Sequence, residues 1–465
     1  MSLNTLVDYI SNSQITSELR KRISKNNELN IVGSSRYAKS IILDSIAKKE
    51  EKNILLICPN VEIAYKWIGY FESINDKAVL YYPPTEHLPY SSINKSKEIE
   101  FSQLTVLSKL IKKEKNELNI VISTERSLQP HLINKNLLIE NKLDLQKGVQ
   151  IEIQELANKL TLLGYTKDNV TSTEGFWSRR GEIIDIYPVN NEFPIRLEFF
   201  DNVIEKIREY DPHTQKTLES INNIEIIQAG FDLLIKDKLN NLSKNNLFNS
   251  EDINKNNLDR YLGIIEEEPS NIIDFINRET ILVIDELEDC KKFANNWYLD
   301  SESNFDNCTY ELNENLKNND INLEAKPNLH LKFDEILKSL GNFNLIKFYE
   351  FESKINIDNR FLLNDKRLNS YSKNVGKLSN DINKNIKNNE KVWILSAQPL
   401  RTRTLLFEHE CNANFLNNPN DIDEAYKSIN NSTPLILKNK NNYEIEGFYL
   451  PIWKVVLITD KELFS

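Results

Sequence analysis

Eight residues near the N-terminus have the order of a phosphate-binding loop. Gly33-Ser34-Ser35-Arg36-Tyr37-Ala38-Lys39-Ser40 follows a short strand-like segment, 30–32, and opens a helical pattern. In a working loop of this kind, backbone N–H groups cradle phosphates, the lysine reaches them and the next hydroxyl holds Mg²⁺. Lys39 and Ser40 stand in those places. The second glycine is replaced by Ala38, whose Cβ crowds the cradle, and left-handed backbone costs a non-glycine residue ~1–2 kcal/mol. Tyr37 adds bulk. Asp285-Glu286 follows the apolar run 281–284 and puts carboxylates at a strand end, where Mg²⁺ and water would sit. The other reading of that pair is a relic strand end whose acids face solvent. Gly33, Lys39, Ser40, Asp285 and Glu286 therefore form a degenerate nucleotide-binding constellation, with no catalytic residue assigned.

A second constellation lies in 177–215, WSRRGEIIDIYPVNNEFPIRLEFFDNVIEKIREYDPHTQ. If 195–200 is a strand, alternate side chains point to opposite faces. Ile195, Leu197 and Phe199 share a core face; Arg196, Glu198 and Phe200 share the other. Burying Phe200 with an arginine and a glutamate is unfavourable, so Phe200 is pushed toward solvent. Arg179 and Arg180 precede Gly181 at the start of an expected strand, 182–187. An exposed phenylalanine flanked by arginines has the composition of a protein-binding hot spot. Pattern alone leaves a second reading, a Phe200 half covered by a loop of its own domain.

Other candidates weigh less. Arg401 and Arg403 resemble helicase arginine fingers in position, but without an intact phosphate loop they read as helix-surface charges. Tyr81, Tyr82 and Tyr90 have rings suited to base stacking. Their segment holds Pro83, Pro84, Pro89 and Glu86 and no basic cluster, so packing against the sheet is the preferred role. The five histidines form no nucleophile arrangement.

Elements must hold these groups in place. Strand-like segments at 30–32, 53–58, 78–82 and 118–122 alternate with helical patterns at 39–48, around Ala64 and Trp67, and through Leu104 to Ile111. Such alternation predicts a parallel sheet with helices on its faces. Residues 147–228 break the pattern with one helix, near 153–163, and a meander whose Asp201-Asn202 suits a tight turn. The run 281–284 looks like a buried strand returning to the first sheet. The expected fold is α/β: a degenerate P-loop, helicase-like parallel-sheet domain split by an inserted α+β domain, then a second, smaller α/β domain. The expected boundaries are 1–137, insert 138–228, 229–312 completing the first sheet, linker 313–344, and a third domain at 345–465. That third domain is given strands at 347–351, 392–395, 434–437 and 455–458 and helices from near Leu400 and Asp421.

Composition narrows the function classes. The 465 residues exceed one ordinary core. Hydrophobic residues at 40% and charged residues at 27% describe a globular protein. A net charge of −11 argues against a large non-specific DNA-binding surface. Cys58, Cys290, Cys308 and Cys411 are scattered without a paired spacing, so no metal site is expected. No apolar run approaches ~18 residues and the N-terminus has no basic-then-apolar signal, so a cytoplasmic protein with no membrane partner is expected.

The residues of the second constellation also carry a family resemblance. Arg180-Gly181, Asp185-Ile186-Tyr187-Pro188, Pro194-Ile195-Arg196-Leu197-Glu198-Phe199-Phe200 and Asp211-Pro212-His213-Thr214-Gln215 resemble, in order, the UvrB-homology module shared by UvrB and the transcription–repair coupling factors. Tyr82-Pro83-Pro84-Thr85-Glu86-His87-Leu88-Pro89-Tyr90 and Glu446-Gly447-Phe448-Tyr449-Leu450-Pro451, running into 457–464, are similar to the coupling factors in particular. The resemblance implies that the insert binds UvrA through Arg180, Arg196 and Phe200, in transcription-coupled nucleotide excision repair. It implies a UvrB-like fold that has lost its ATP site, so no enzyme activity and no cofactor in this chain. ATP and Mg²⁺ would belong to a DNA translocase motor further along the polypeptide. RNA polymerase and DNA would be partners of those missing parts, which suggests a fragment or truncated product. In the family a distant C-terminal domain masks the UvrA surface; without it, Arg180, Arg196 and Phe200 are expected to be exposed. The competing function is a divergent UvrB-type ATPase that opens DNA around lesions.

Overall fold

A computed structural model describes residues 3–26, 28–74, 79–91, 93, 95–112, 119–244, 258–316, 327–351, 359–371, 374–418, 421–439 and 445–464. The chain begins with α1 (Asn4–Ser11) and α2 (Gln14–Asn26). Strands and helices then alternate: β1 (Glu28–Val32), α3 (Arg36–Glu50), β2 (Ile54–Cys58), α4 (Val61–Ile74), β3 (Val79–Tyr81), α5 (Lys97–Ile111) and β4 (Ile120–Thr124). Every residue of β2 and β4 is buried. Unbroken apolar strands are what a parallel sheet covered on both faces requires. The short α6 (Lys135–Glu140) leads out of this layer.

The insert follows: β5 (Lys142–Gln146), α7 (Ile153–Leu162), β6 (Thr166–Lys167), β7 (Phe176–Arg180), β8 (Ile183–Ile186), β9 (Ile195–Phe200), β10 (Val203–Tyr210), β11 (Thr217–Ile221) and β12 (Asn223–Ile227). Six of these strands form a sheet in the order β11-β10-β9-β8-β7-β6. β5 and β12 pair antiparallel, so the chain enters and leaves the insert along one ribbon. Residues 176–180 form a strand of their own. Arg179 and Arg180 therefore end one strand rather than open the next, and Gly181 makes the turn with φ +62°.

The chain then returns to the first layer through α8 (Asp232–Lys244), α9 (Leu262–Ile265), β13 (Ile281–Asp285), α10 (Leu287–Leu316), α11 (Phe333–Ser339), β14 (Asn344–Tyr349) and β15 (Arg360–Leu362). The first sheet has seven parallel strands in the order β15-β1-β14-β13-β2-β4-β3. β13 takes the returning place expected for it. The strand expected to open the third domain does not: β14 lies between β1 and β13 in the first sheet. The expected linker also differs. Its start belongs to α10, residues 317–326 lie outside the described residues, and Leu329, His330, Phe333, Ile336 and Leu340 beyond them are buried.

The third domain starts near residue 366 rather than 345. It comprises β16 (Lys366–Arg367), α12 (Val375–Lys387), β17 (Lys391–Ser396), α13 (Pro399–Glu408), β18 (Asn414–Phe415), α14 (Ile422–Asn430), β19 (Leu435–Lys438), β20 (Phe448–Leu450), β21 (Val455–Thr459) and α15 (Asp460–Phe464). Its sheet runs β16-β20-β21-β17-β19-β18. One apolar cluster joins it to the first domain: Leu6, Ile10, Ile41 and Phe348 pack in the same core as Trp393, Leu437 and Phe448. Trp393 Nε1 donates to Thr5 Oγ1 at 3.3 Å, and Trp453 Nε1 to Thr16 Oγ1 at 3.2 Å.

Candidate docking face and phosphate-loop remnant

The insert's sheet buries one face; the other is exposed around Arg180, Phe200 and Lys206 but closed over Ser178, Asp185 and Tyr210. β9 alternates buried Ile195, Leu197 and Phe199 with less buried Arg196, Glu198 and Phe200. Asp201 and Asn202 close the β9–β10 hairpin with φ of 47° and 62°. Positive φ at both central residues matches the turn whose twist suits paired strands. The register shifts once between Ile204 and Lys206. That extra residue lets Ile204 and Ile207, three apart, both reach the core.

Pairing fixes what the outer face presents. Arg180, Ile183, Glu198 and Lys206 follow one another across four strands. Ser178, Asp185, Arg196, Arg208 and Ser220 form the neighbouring row. Phe200 stands at the end of β9 with 65% of its surface exposed. Arg180 is exposed as well. Two strand steps and two residues separate them, roughly 12 Å.

Arg196 departs from the expectation of exposure. It is half-buried, and its guanidinium donates to both oxygens of Asp185, at 2.7 and 2.8 Å. It also donates to Gln215 Oε1 at 2.9 Å and stacks 4.4 Å from the Tyr210 ring centre. Asp185 itself is buried. Strand parity gave the face of Arg196 correctly but not its depth, because the acid that captures it lies on the next strand. The Asp211–Gln215 turn explains one motif: Asp211 Oδ1 accepts from the Thr214 and His213 amides at 2.6 and 2.9 Å, and Gln215 is turned back at φ +60°. Sequence reasoning missed the supporting roles of Asp185, Tyr210 and Gln215, although all three stand in the motif that it singled out.

The phosphate-loop residues do come together, but on one another. Ser35 caps α3 by accepting from the Ala38 amide at 3.1 Å. Lys39 is fully buried; its Nζ donates to the Tyr349 carbonyl at 3.0 Å and lies 3.5 Å from Glu286. Burial pulls the Lys39 ammonium below the usual lysine range, with Glu286 opposing. Burial pushes the Glu286 carboxyl up, with Lys39 opposing. Asp285 Oδ2 accepts from Arg36 Nε at 2.8 Å and from Trp67 Nε1 at 2.9 Å. Asp285 is fully buried, so the solvent-facing reading of this pair fails for it. Ser40 Oγ donates to the Tyr37 carbonyl at 2.7 Å. At Gly33 the loop meets Asp365, which sequence reasoning did not mark. Its carboxylate accepts from the Ser34 and Ser35 amides at 2.9 and 2.8 Å.

The remaining candidates resolve simply. Tyr82 and Tyr90 are buried, and their hydroxyls bond His131 at 2.6 Å and His330 at 2.9 Å. Tyr81 is half-buried and packs on Tyr65. Arg401 and Arg403 lie exposed on α13. The four cysteines are free and buried, and no metal-binding group of acids, histidines and cysteines occurs among the described residues. No described helix is long and apolar enough to cross a membrane.

Residues 143–230, the insert from its first strand to its exit, match the family described as UvrB interaction domain. Residues 367–465 match the family described as Cyanobacterial Mfd, Rossmann-like domain, which begins where the third sheet begins. A transcription-repair-coupling factor of Bacillus subtilis is 25% identical over 472 residues, covering 94% of this chain and 38% of that protein. Over nearly its whole length the chain is similar to the N-terminal part of such factors. One from Staphylococcus epidermidis is 28% identical over 62% of this chain, and one from Staphylococcus aureus is 22% identical over 94%. This chain spans about 38% of the length of the Bacillus subtilis relative, which is matched from the first domain through the third.

Proposed function

We propose that this chain is a recruiting module for UvrA in transcription-coupled nucleotide excision repair, and that the outer face of the insert's sheet is the docking surface. The observation that carries the reading is Phe200: a phenylalanine with 65% of its surface exposed, on a sheet face shared with Arg180, inside the stretch similar to the UvrB interaction domain. Large aromatic and arginine side chains dominate binding energy at protein interfaces. Phe200 and Arg180 are the direct contacts; Arg196, bonded to Asp185 and Gln215, ties neighbouring strands and the 211–215 turn of the same face together. RNA polymerase, DNA and ATP-driven translocation belong, in this reading, to the longer relatives. Nucleotide hydrolysis and cofactor use are not roles of this chain, which acts in the cytoplasm. The internal partners of Lys39, Asp285 and Ser34 support that division over a divergent UvrB-type ATPase.

The test is titration of UvrA with the chain and with Phe200→Ala. A hot spot costs ~2 kcal/mol or more, roughly 30-fold in affinity. Tight binding unchanged by Phe200→Ala and Arg180→Ala would move the surface elsewhere. ATP binding abolished by Lys39→Ala would restore the ATPase reading.

A further inference from the structure

We propose that the phosphate-loop remnant now serves as a clasp on the joint between the first and third domains, with Asp365 as its resident anion. Asp365 lies in the three residues between β15 and β16, where the chain passes from the first sheet to the third-domain sheet. Its Oδ1 accepts from the Ser34 amide at 2.9 Å; its Oδ2 accepts from the Ser35 amide at 2.8 Å and from Ser34 Oγ at 2.9 Å. Those amides lie immediately before α3, with Ser35 as its N-cap, where the helix dipole favours a negative charge. In this chain the charge comes from the connecting segment itself.

The surrounding contacts fit a fastening role. Leu363, fully buried, donates its amide to the Val32 carbonyl at 2.8 Å, and Gly33 donates to the Tyr349 carbonyl at 2.9 Å. The retained glycine has a reason unrelated to nucleotide: a Cβ at Gly33 would stand 2.7 Å from Asp365 Oδ1 and 2.8 Å from Leu363 Cδ1. Directly after the clasp, β16 pairs with β20, and the Tyr371 amide donates to the Glu462 carbonyl at 3.0 Å. An incoming phosphate must displace a tethered carboxylate, and displacement frees the first residues of the third domain.

Hydrogen–deuterium exchange of the whole chain tests the clasp, comparing the wild type with Asp365→Asn and Gly33→Ala. One variant removes the charge; the other keeps it and crowds it out. The expected result in both is faster exchange at the amides of 34–35 and of 366–371 together, by about tenfold or more, since charge-assisted hydrogen bonds are lost. The amides of β17 and β21 stay protected and report an intact third domain. Faster exchange at 34–35 alone, at 366–371 alone, or at neither overturns the proposal. Should one variant fail to fold, the other carries the same test.

Discussion

Arg196 and Phe200 share one strand face four residues apart, yet only Phe200 meets open solvent. The difference predicts separable mutant phenotypes. Arg196→Ala leaves the Asp185 carboxylate buried beside Tyr210 without its cation; breaking a fully buried pair costs ~3–5 kcal/mol, and the half-buried guanidinium puts the expected loss at the lower end of that range. Thermal unfolding should reveal that loss. Phe200→Ala and Arg180→Ala remove exposed groups and should change stability by about 0.5 kcal/mol or less. A weakened interaction with UvrA in either variant would then report the surface rather than the fold. Glu125 offers a second test at this scale. It is buried after β4, and desolvation pushes its pKa up to about 7. A raised folded-state pKa favours the native state below the unfolded value, and that contribution is lost as pH rises through about 7. Glu125→Gln should therefore raise the melting temperature more at pH 8 than at pH 5; an equal shift at both would contradict the assignment.

At the scale of elements, the hairpin turn is the sharpest case. Asn202 holds φ 62°, and its carbonyl accepts from the Ile151 amide at 2.8 Å. Asn202→Val forces a β-branched residue into left-handed backbone and should cost ~1–2 kcal/mol in chemical denaturation. That turn was legible in the sequence, as were the face of Phe200 and the return of β13. Period-two alternation and unbroken apolar runs report their own geometry locally. What was not legible depends on partners distant in sequence. The pattern of 344–349 is that of any half-buried strand, and nothing in it states which sheet receives it; β1, more than 300 residues earlier, decides that. Asp365 gives no local signal because its partners, Ser34 and Ser35, lie 331 and 330 residues away. Lys39 and Asp285 are legible as a phosphate-loop lysine and a strand-end acid, but not that Arg36, within the same loop, and Trp67, on another helix, occupy the Asp285 carboxylate.

Across the whole molecule, the first and third domains share one apolar core, so they should not unfold independently. Trp393, fully buried against Tyr9, anchors it. Trp393→Ala should cost ~3–5 kcal/mol and lower a single thermal transition that includes both domains. Two separated transitions in the wild type would show that the shared core does not couple them. The same core sets a schedule for synthesis. Trp453 and the Ser13 hydroxyl that it binds are 440 residues apart. A ribosome adding ~5–20 residues per second makes the second partner roughly 20–90 s after the first. For most of that interval α1 can pack on α3, but the Trp393 and Trp453 side of the shared core, which meets Thr5, Tyr9, Ser13 and Thr16, has yet to be translated. The hazardous moment for these helices is thus in the nascent chain, and slow translation of the stretch that carries Trp393 and Trp453 would lengthen it.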